Sequence, residues 1–269
     1  MKRVKTAVAL VLAMTLALVL CGCVYIRIGD GKSVTGSGNV EKREVELDSA
    51  LTGLDNQSSV EVIIDPSLEH KAVIEGDDNL LDYVQLKQDS AGTLVVDLEP
   101  HVSIIMLKKL TVRVPAVNGG RIAVNGSGSI TQESGTLTGD SFEVIIDGSG
   151  SMGLNLDAPS LKATVTGAGS AYISAVSHSA MVSMDGSGSV ILDGAAQTMD
   201  ARLTGSGSLD GFGFTVQDAQ VSVSGSGSAN VYVSGRLTGD IGGSGSIVYD
   251  GDPAGVQVED NGSGSAAAR

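Results

Sequence analysis

The sequence predicts an all-β chain, a parallel β-solenoid with a β-rich N-terminal capping segment, and three observations predict it. Gly-Ser-Gly or a close variant recurs with first glycines at Gly126, Gly148, Gly167, Gly186, Gly205, Gly225, Gly243 and Gly262. The steps between them, 22, 19, 19, 19, 20, 18 and 19 residues, are the period of a stacked repeat. Apolar residues alternate between the glycine pairs, and aromatics are only 3% of the chain with no Trp, so the core must be thin and aliphatic.

Taken in order, the chain opens on Lys2, Arg3 and Lys5, followed by an uncharged run from Ala7 to Leu20 and then Leu20-Cys21-Gly22-Cys23. This resembles a bacterial lipoprotein signal, in which a small residue precedes the cysteine that receives the lipid and becomes the mature N-terminus. Gly22 before Cys23 fits that pattern, whereas bulky Leu20 precedes Cys21. Residues 6–26 are also nearly long enough, at about 20 apolar residues, for an uncleaved membrane helix. The short apolar run and the small residue before the cysteine favour the signal peptide. The expected division is therefore a signal over 1–22, lipidation at Cys23, a tether over 23–38, a capping segment over 39–118 and a solenoid over 119–265. Membrane attachment is through the lipid, on the extracytoplasmic face. With Cys21 removed and Cys23 acylated, the mature chain has no thiol for a disulfide, a metal site or a nucleophile.

Charge narrows the partners. Loss of residues 1–22 removes three basic residues and no acid, leaving 14 basic against 31 acidic, a net of −17. Such a surface repels polyphosphate, so nucleic acid is not an expected partner.

The capping segment reads as β. Val45 and Leu47 alternate with Glu44, Glu46 and Asp48; Val60, Val62 and Ile64 lead to Asp65-Pro66; Leu94, Val96 and Leu98 lead to Pro100; Leu110, Val112 and Val114 lead to Pro115. A short helical turn is expected between them, capped by Asp77 or Asp78 with Leu80, Leu81, Tyr83 and Val84 on its apolar side. This segment is expected to close the end of the solenoid, whose open edge would otherwise pair with other chains.

Overlaying the repeats aligns Ile130, Met152, Ala171, Val190, Leu209, Ala229 and Ile247 four residues after the first glycine. Later in each unit Leu161, Ala163 and Val165 align with Ala180, Val182 and Met184, then with Met199, Ala201 and Leu203. Each unit carries two short strands of period two, and neither can bury its apolar face without stacking on the next unit. Continuing that parity puts both glycines of each pair inward at a corner: Gly126 and Gly128, Gly148 and Gly150, Gly167 and Gly169, Gly186 and Gly188, Gly205 and Gly207, Gly225 and Gly227, Gly243 and Gly245. The serines then face water. Gly167-Ala168-Gly169 keeps both glycines and varies only the outward position.

Arg43-Glu44-Val45-Glu46-Leu47, the strand ending at Pro115, the run of Gly-Ser-Gly turns and the closing Gly245-Ser246-Ile247-Val248-Tyr249-Asp250-Gly251-Asp252-Pro253 together resemble the bacterial auto-transporter adhesin family with the head GIN domain. The resemblance spans about Gly36 to Ser265. It implies a right-handed β-helix-like fold on secreted or lipid-anchored proteins, and supplies no catalytic residues.

Candidate chemistry is sparse. Asp147 and Asp185 share one repeat position two units apart, with Thr166 between, which spaces them about 9 to 10 Å, at the outer limit for an inverting glycosidase pair. This makes a polysaccharide-active enzyme the alternative reading. Calcium-binding solenoids repeat an aspartate in every turn, which is not the pattern here. His70, His101 and His178 have no metal-ligand spacing. Tyr172, Phe212, Phe214, Tyr232 and Tyr249 fall out of column and make no sugar-stacking ladder. Two serine columns about 7 Å apart would present hydroxyls at about 4.8 Å intervals, an array suited to ordered water or a repetitive polymer. The expectation is a non-enzymatic envelope protein without cofactor or metal, used for adhesion, scaffolding or sensing of an extracellular or envelope ligand, or simply as a structural spacer.

Overall fold

A computed structural model describes residues 32–269. The expected signal sequence and the expected lipidation at Cys23 lie outside the described residues. What is described is a parallel β-solenoid with two walls. The leading wall holds the strands that run into each first glycine: Val117–Gly126, Ser141–Gly148, Ser160–Gly167, Ser179–Gly186, residues 198–205 and 218–225, Arg236–Ile241 and Gly255–Asp260. The trailing wall begins at the second serine of each corner, as in Ser151–Asp157, Ser170–Val176 and Ser228–Val233.

Stacking is in register, like on like. Gly148 pairs with Gly167, Gly167 with Gly186 and Gly186 with Gly205, while Ser151, Ser170, Ser189 and Ser208 form a continuous ladder. Parity decides what is buried: Leu161, Ala163 and Val165 face in and Lys162 faces out, and the next turns repeat this with Ala180, Val182 and Met184 around exposed Met181. The resulting core is one cluster running from Leu51 to Ile247, mostly Val, Ile, Leu and Ala. The 20-residue step after Gly205 is absorbed as a register shift near Phe212, which lets Phe214 fill the core position and be fully buried.

The stack extends beyond the residues that carry the glycine pairs. Leu51–Asn56 and Glu61–Ile64 form a complete turn that pairs directly with Val117–Gly126 and Ser129–Gln132. On its other side it pairs with Thr93–Leu98 and Thr111–Val114. The turn at 51–64 is thus clamped between two turns that follow it in sequence. Its corner replaces Gly-Ser-Gly with Asn56 and Ser58: the buried Asn56 amide donates to Val60 O and Ser129 O, and its Oδ1 accepts from Ser58 N and Oγ.

Antiparallel strands close the end. Lys71–Asp77 lies on Thr111–Val114, Val40–Glu46 lies on Lys71–Asp77, and Val84–Gln88 lies on Thr93–Leu98. The helical turn is a 3-10 helix, Asp78–Tyr83, with Leu80 and Leu81 buried. Asp77 does not cap it. Its buried carboxylate instead accepts from the backbone N–H groups of Gly38 (2.7 Å), Leu107 and Lys108 (both 3.0 Å), which ties three segments together. Lys32–Thr35, expected in the tether, pairs in parallel with Val102–Ile105 as a two-stranded ribbon beside this lock.

Candidate functional site: corners, serine columns and a groove on the leading wall

The corner glycines differ in role, contrary to the parity that puts both inward. The second of each pair is buried and faces the core: a β-carbon on Gly188 would meet the Val165 Cγ1 at 2.8 Å. The first is not buried, and in the six corners from Gly126 to Gly225 it turns the chain at positive φ, +121° at Gly148 and +102° at Gly167, which breaks the strand alternation. From Gly148 onward a β-carbon there would strike the carbonyl of the glycine one turn below. The pairs are therefore architectural: one glycine permits the turn and the other the close approach of the walls.

The first serines, such as Ser149, Ser187 and Ser206, are exposed. The second serines are often half-buried, and the Ser208 hydroxyl donates to Ser189 Oγ at 3.4 Å, so part of that column is turned on itself. Asp147 and Asp185 lie in one exposed column with Thr166 between them, as the register requires. His70, His101 and His178 are exposed and far apart in the fold, and the described residues contain no cluster of His, Cys, Asp or Glu suited to a metal. The aromatics serve locally. Tyr172 donates its hydroxyl to Asp193 (2.6 Å), and that carboxylate raises its pKa; the Arg269 guanidinium sits 4.4 Å over the Phe212 ring.

The sequence reading misses a recess of about 650 Å³ across the start of five leading-wall strands. One rim is the column Ser160, Ser179, Thr198, Asp218 and Arg236; beside it runs the outward column Lys162, Met181, Asp200, Gln220 and Thr238. At about 4.8 Å per turn the groove is about 19 Å long, open and parallel to the stacking axis. Met181, 41% exposed, adds an apolar step above a floor that includes the buried Leu161, Ala180, Met199 and Ala219, while hydroxyl, amide and charged groups run along the two columns. Lys162 pairs with Glu143 (2.7 Å) and Asp200 Oδ2 with Arg202 (2.7 Å). The other carboxylate oxygen of Asp200 is buried and accepts no hydrogen bond. The groove's signal in the sequence is the exposed Met181 at an outward-parity position.

No helix among the described residues is long and apolar enough to cross a membrane. A comparison with curated proteins gives no match. Among solved structures, a "putative adhesin" from Parabacteroides distasonis ATCC 8503 superposes with a TM-score of 0.80 at 21% identity, covering 88% of this chain and 100% of that one. A "putative adhesin" from Parabacteroides merdae ATCC 43184 gives 0.79 at 21% identity, covering 88% and 99%. A "putative lipid binding protein" from P. distasonis gives 0.77 at 23% identity, covering 88% and 100%. At these identities the likeness establishes a shared fold. The family model described as "Putative auto-transporter adhesin, head GIN domain" matches residues 50–253, most of the chain, and the protein belongs to that family.

Proposed function

We propose that the protein is a non-enzymatic surface lipoprotein of adhesin type, anchored through Cys23, which holds an extended polar polymer of the envelope or of a neighbouring surface along the Lys162–Arg236 groove. The observation that carries the reading is the groove's form: open to solvent, about five turns long, and repeating hydrogen-bonding groups at each turn. A chain with a short chemical repeat, such as a glycan strand, meets one set of hydroxyl, amide or carboxylate groups per turn. Exposed Ser160, Ser179 and Thr198 hydroxyls along one column give such a chain a hydrogen-bonding group at each turn. Asp147 and Asp185 stand exposed on the wall outside this groove, which supports binding without cleavage.

The test is retention of purified envelope glycans by the native chain compared with Met181→Glu and Thr198→Lys. Both side chains are on the outer surface, so folding should be unchanged while retention falls about tenfold, the scale of losing one or two good contacts. Equal retention by all three proteins would remove the groove from the reading. Release of shortened glycans that Asp147→Asn with Asp185→Asn abolishes would replace it with an enzyme.

A further inference from the structure

The capped end of the solenoid carries a surface that the groove does not explain. Val40, Ile105 and Leu107 are 54%, 51% and 59% exposed. Ile105 and Leu107 lie against the segment that leads into Val40, because Thr35 pairs with Ile105, Gly36 N donates to Ile105 O, and Gly38 faces the Leu107 side chain. Their backbone is pinned, since the Asp77 carboxylate holds the N–H groups of Gly38, Leu107 and Lys108. Apolar side chains held out on a fixed backbone mark a contact surface.

Basic side chains gather on this face, Lys32, Lys42, Arg43, Lys108 and Lys109, among acids from the strands behind it, Glu61, Glu75, Asp77, Asp78 and Asp82. Lys42, Arg43 and Lys109 are paired with Glu75, Asp82 and Glu61. Lys108 has no ion pair among the described residues, and Lys32 donates only to the Tyr83 hydroxyl (2.8 Å). The face also includes the first described strand, Lys32–Thr35, and Cys23 lies nine residues before Lys32, within about 30 Å at full extension.

We propose that this face lies on the bilayer, with Ile105 and Leu107 entering the interfacial region and Lys32 and Lys108 meeting lipid phosphates, so that the solenoid stands away from the membrane on its cap. The inference rests on the reading of Cys23 as a lipid anchor. A diacylglyceryl anchor of that kind holds the chain by itself, and the cap face adds a second contact that fixes how the solenoid stands on the bilayer.

The chain has no Trp, so Leu107→Trp gives a single reporter and Met181→Trp a control on the groove. Each full chain, isolated from bacterial membranes, is reconstituted into vesicles of phosphatidylcholine with or without phosphatidylglycerol and floated; tryptophan quenching by brominated acyl chains is then read. The expected result is flotation of both proteins, with quenching at 107 at least about twofold that at 181 and stronger with the anionic lipid. Flotation with no quenching at 107 overturns the bilayer face and leaves the anchor standing. Blue-shifted emission at 107 without quenching shows that protein covers the patch, whether the apolar run at 7–20 or a second copy, and also overturns it. Failure to float removes the anchor reading and the inference with it.

Discussion

Gly167 stacks on Gly148 so closely that a β-carbon on Gly167 would stand 2.6 Å from the Gly148 carbonyl oxygen, and its φ of +102° already excludes most side chains. Gly167→Ala should therefore cost at least about 1–3 kcal/mol from the backbone alone, whereas Ala168→Ser, one residue on, should be within about 0.5 kcal/mol of neutral. Denaturant unfolding of the two variants side by side checks this; equal losses would refute the distinction.

A coupled pair tests the inward glycine. A β-carbon on Gly169 would run into Ile146 Cγ2, and Ile146 is fully buried. Ile146→Ala alone should cost about 2–5 kcal/mol. Combined with Gly169→Ala, the total should fall short of the sum of the single losses by about 0.5–3 kcal/mol, because the shortened side chain makes room for the new methyl. Strict additivity in a double-mutant cycle would show that the two do not share the space.

The Asp77 lock predicts acid sensitivity. Its pKa is lowered, first by the backbone N–H of Lys108, then by those of Gly38 and Leu107 and by the Lys108 charge, against an opposing effect of desolvation. A depressed carboxylate contributes stability that is complete above its ordinary value of 3.8 and is lost as pH falls through the lower folded value. Asp77→Asn should lower the melting temperature by several degrees at neutral pH and weaken the acid dependence below about pH 4. Parallel acid melting curves for both proteins would assign that dependence to other groups.

The last turn is blunted from within. The inward column Val165, Met184, Leu203, Val223 and Ile241 continues to Asp260, which takes the place of an aliphatic residue. Inward charge discourages pairing at an exposed sheet edge. Asp260→Val should therefore raise concentration-dependent self-association, visible as a larger species in sedimentation, with little change in the monomer's far-ultraviolet signal. A monomer at every concentration would show that the aspartate does not guard the edge.

The repeated part of the fold was legible because every turn solves the same steric problem. Gly167-Ala168-Gly169 and Gly186-Ser187-Gly188 announce the same corner, and Val165 and Met184 the same core position. The turn at 51–64 was not legible as a turn, because its corner is built from Asn56 and Ser58 hydrogen bonds and has no glycine pair. Nor does strand alternation reveal that 51–64 sits between 93–114 and 117–132, since pairing order is a property of the stack. For the groove, an overlay recovers the columns of Ser179 and Met181, but the recess between them exists only once five strands are stacked.

That interposed turn also fixes the order of assembly. From Val117 onward each strand finds its neighbour about 19 residues away, so pairing can spread locally from any point, whereas Leu54 meets Ile122 only across 68 residues. Long loops close slowly. Residues 51–64 have no place to settle until both flanking turns, at 93–114 and 117–132, have formed. The capped end is thus closed by long loops, while the repeats from Ser141 onward add turn by turn on a neighbour already in place.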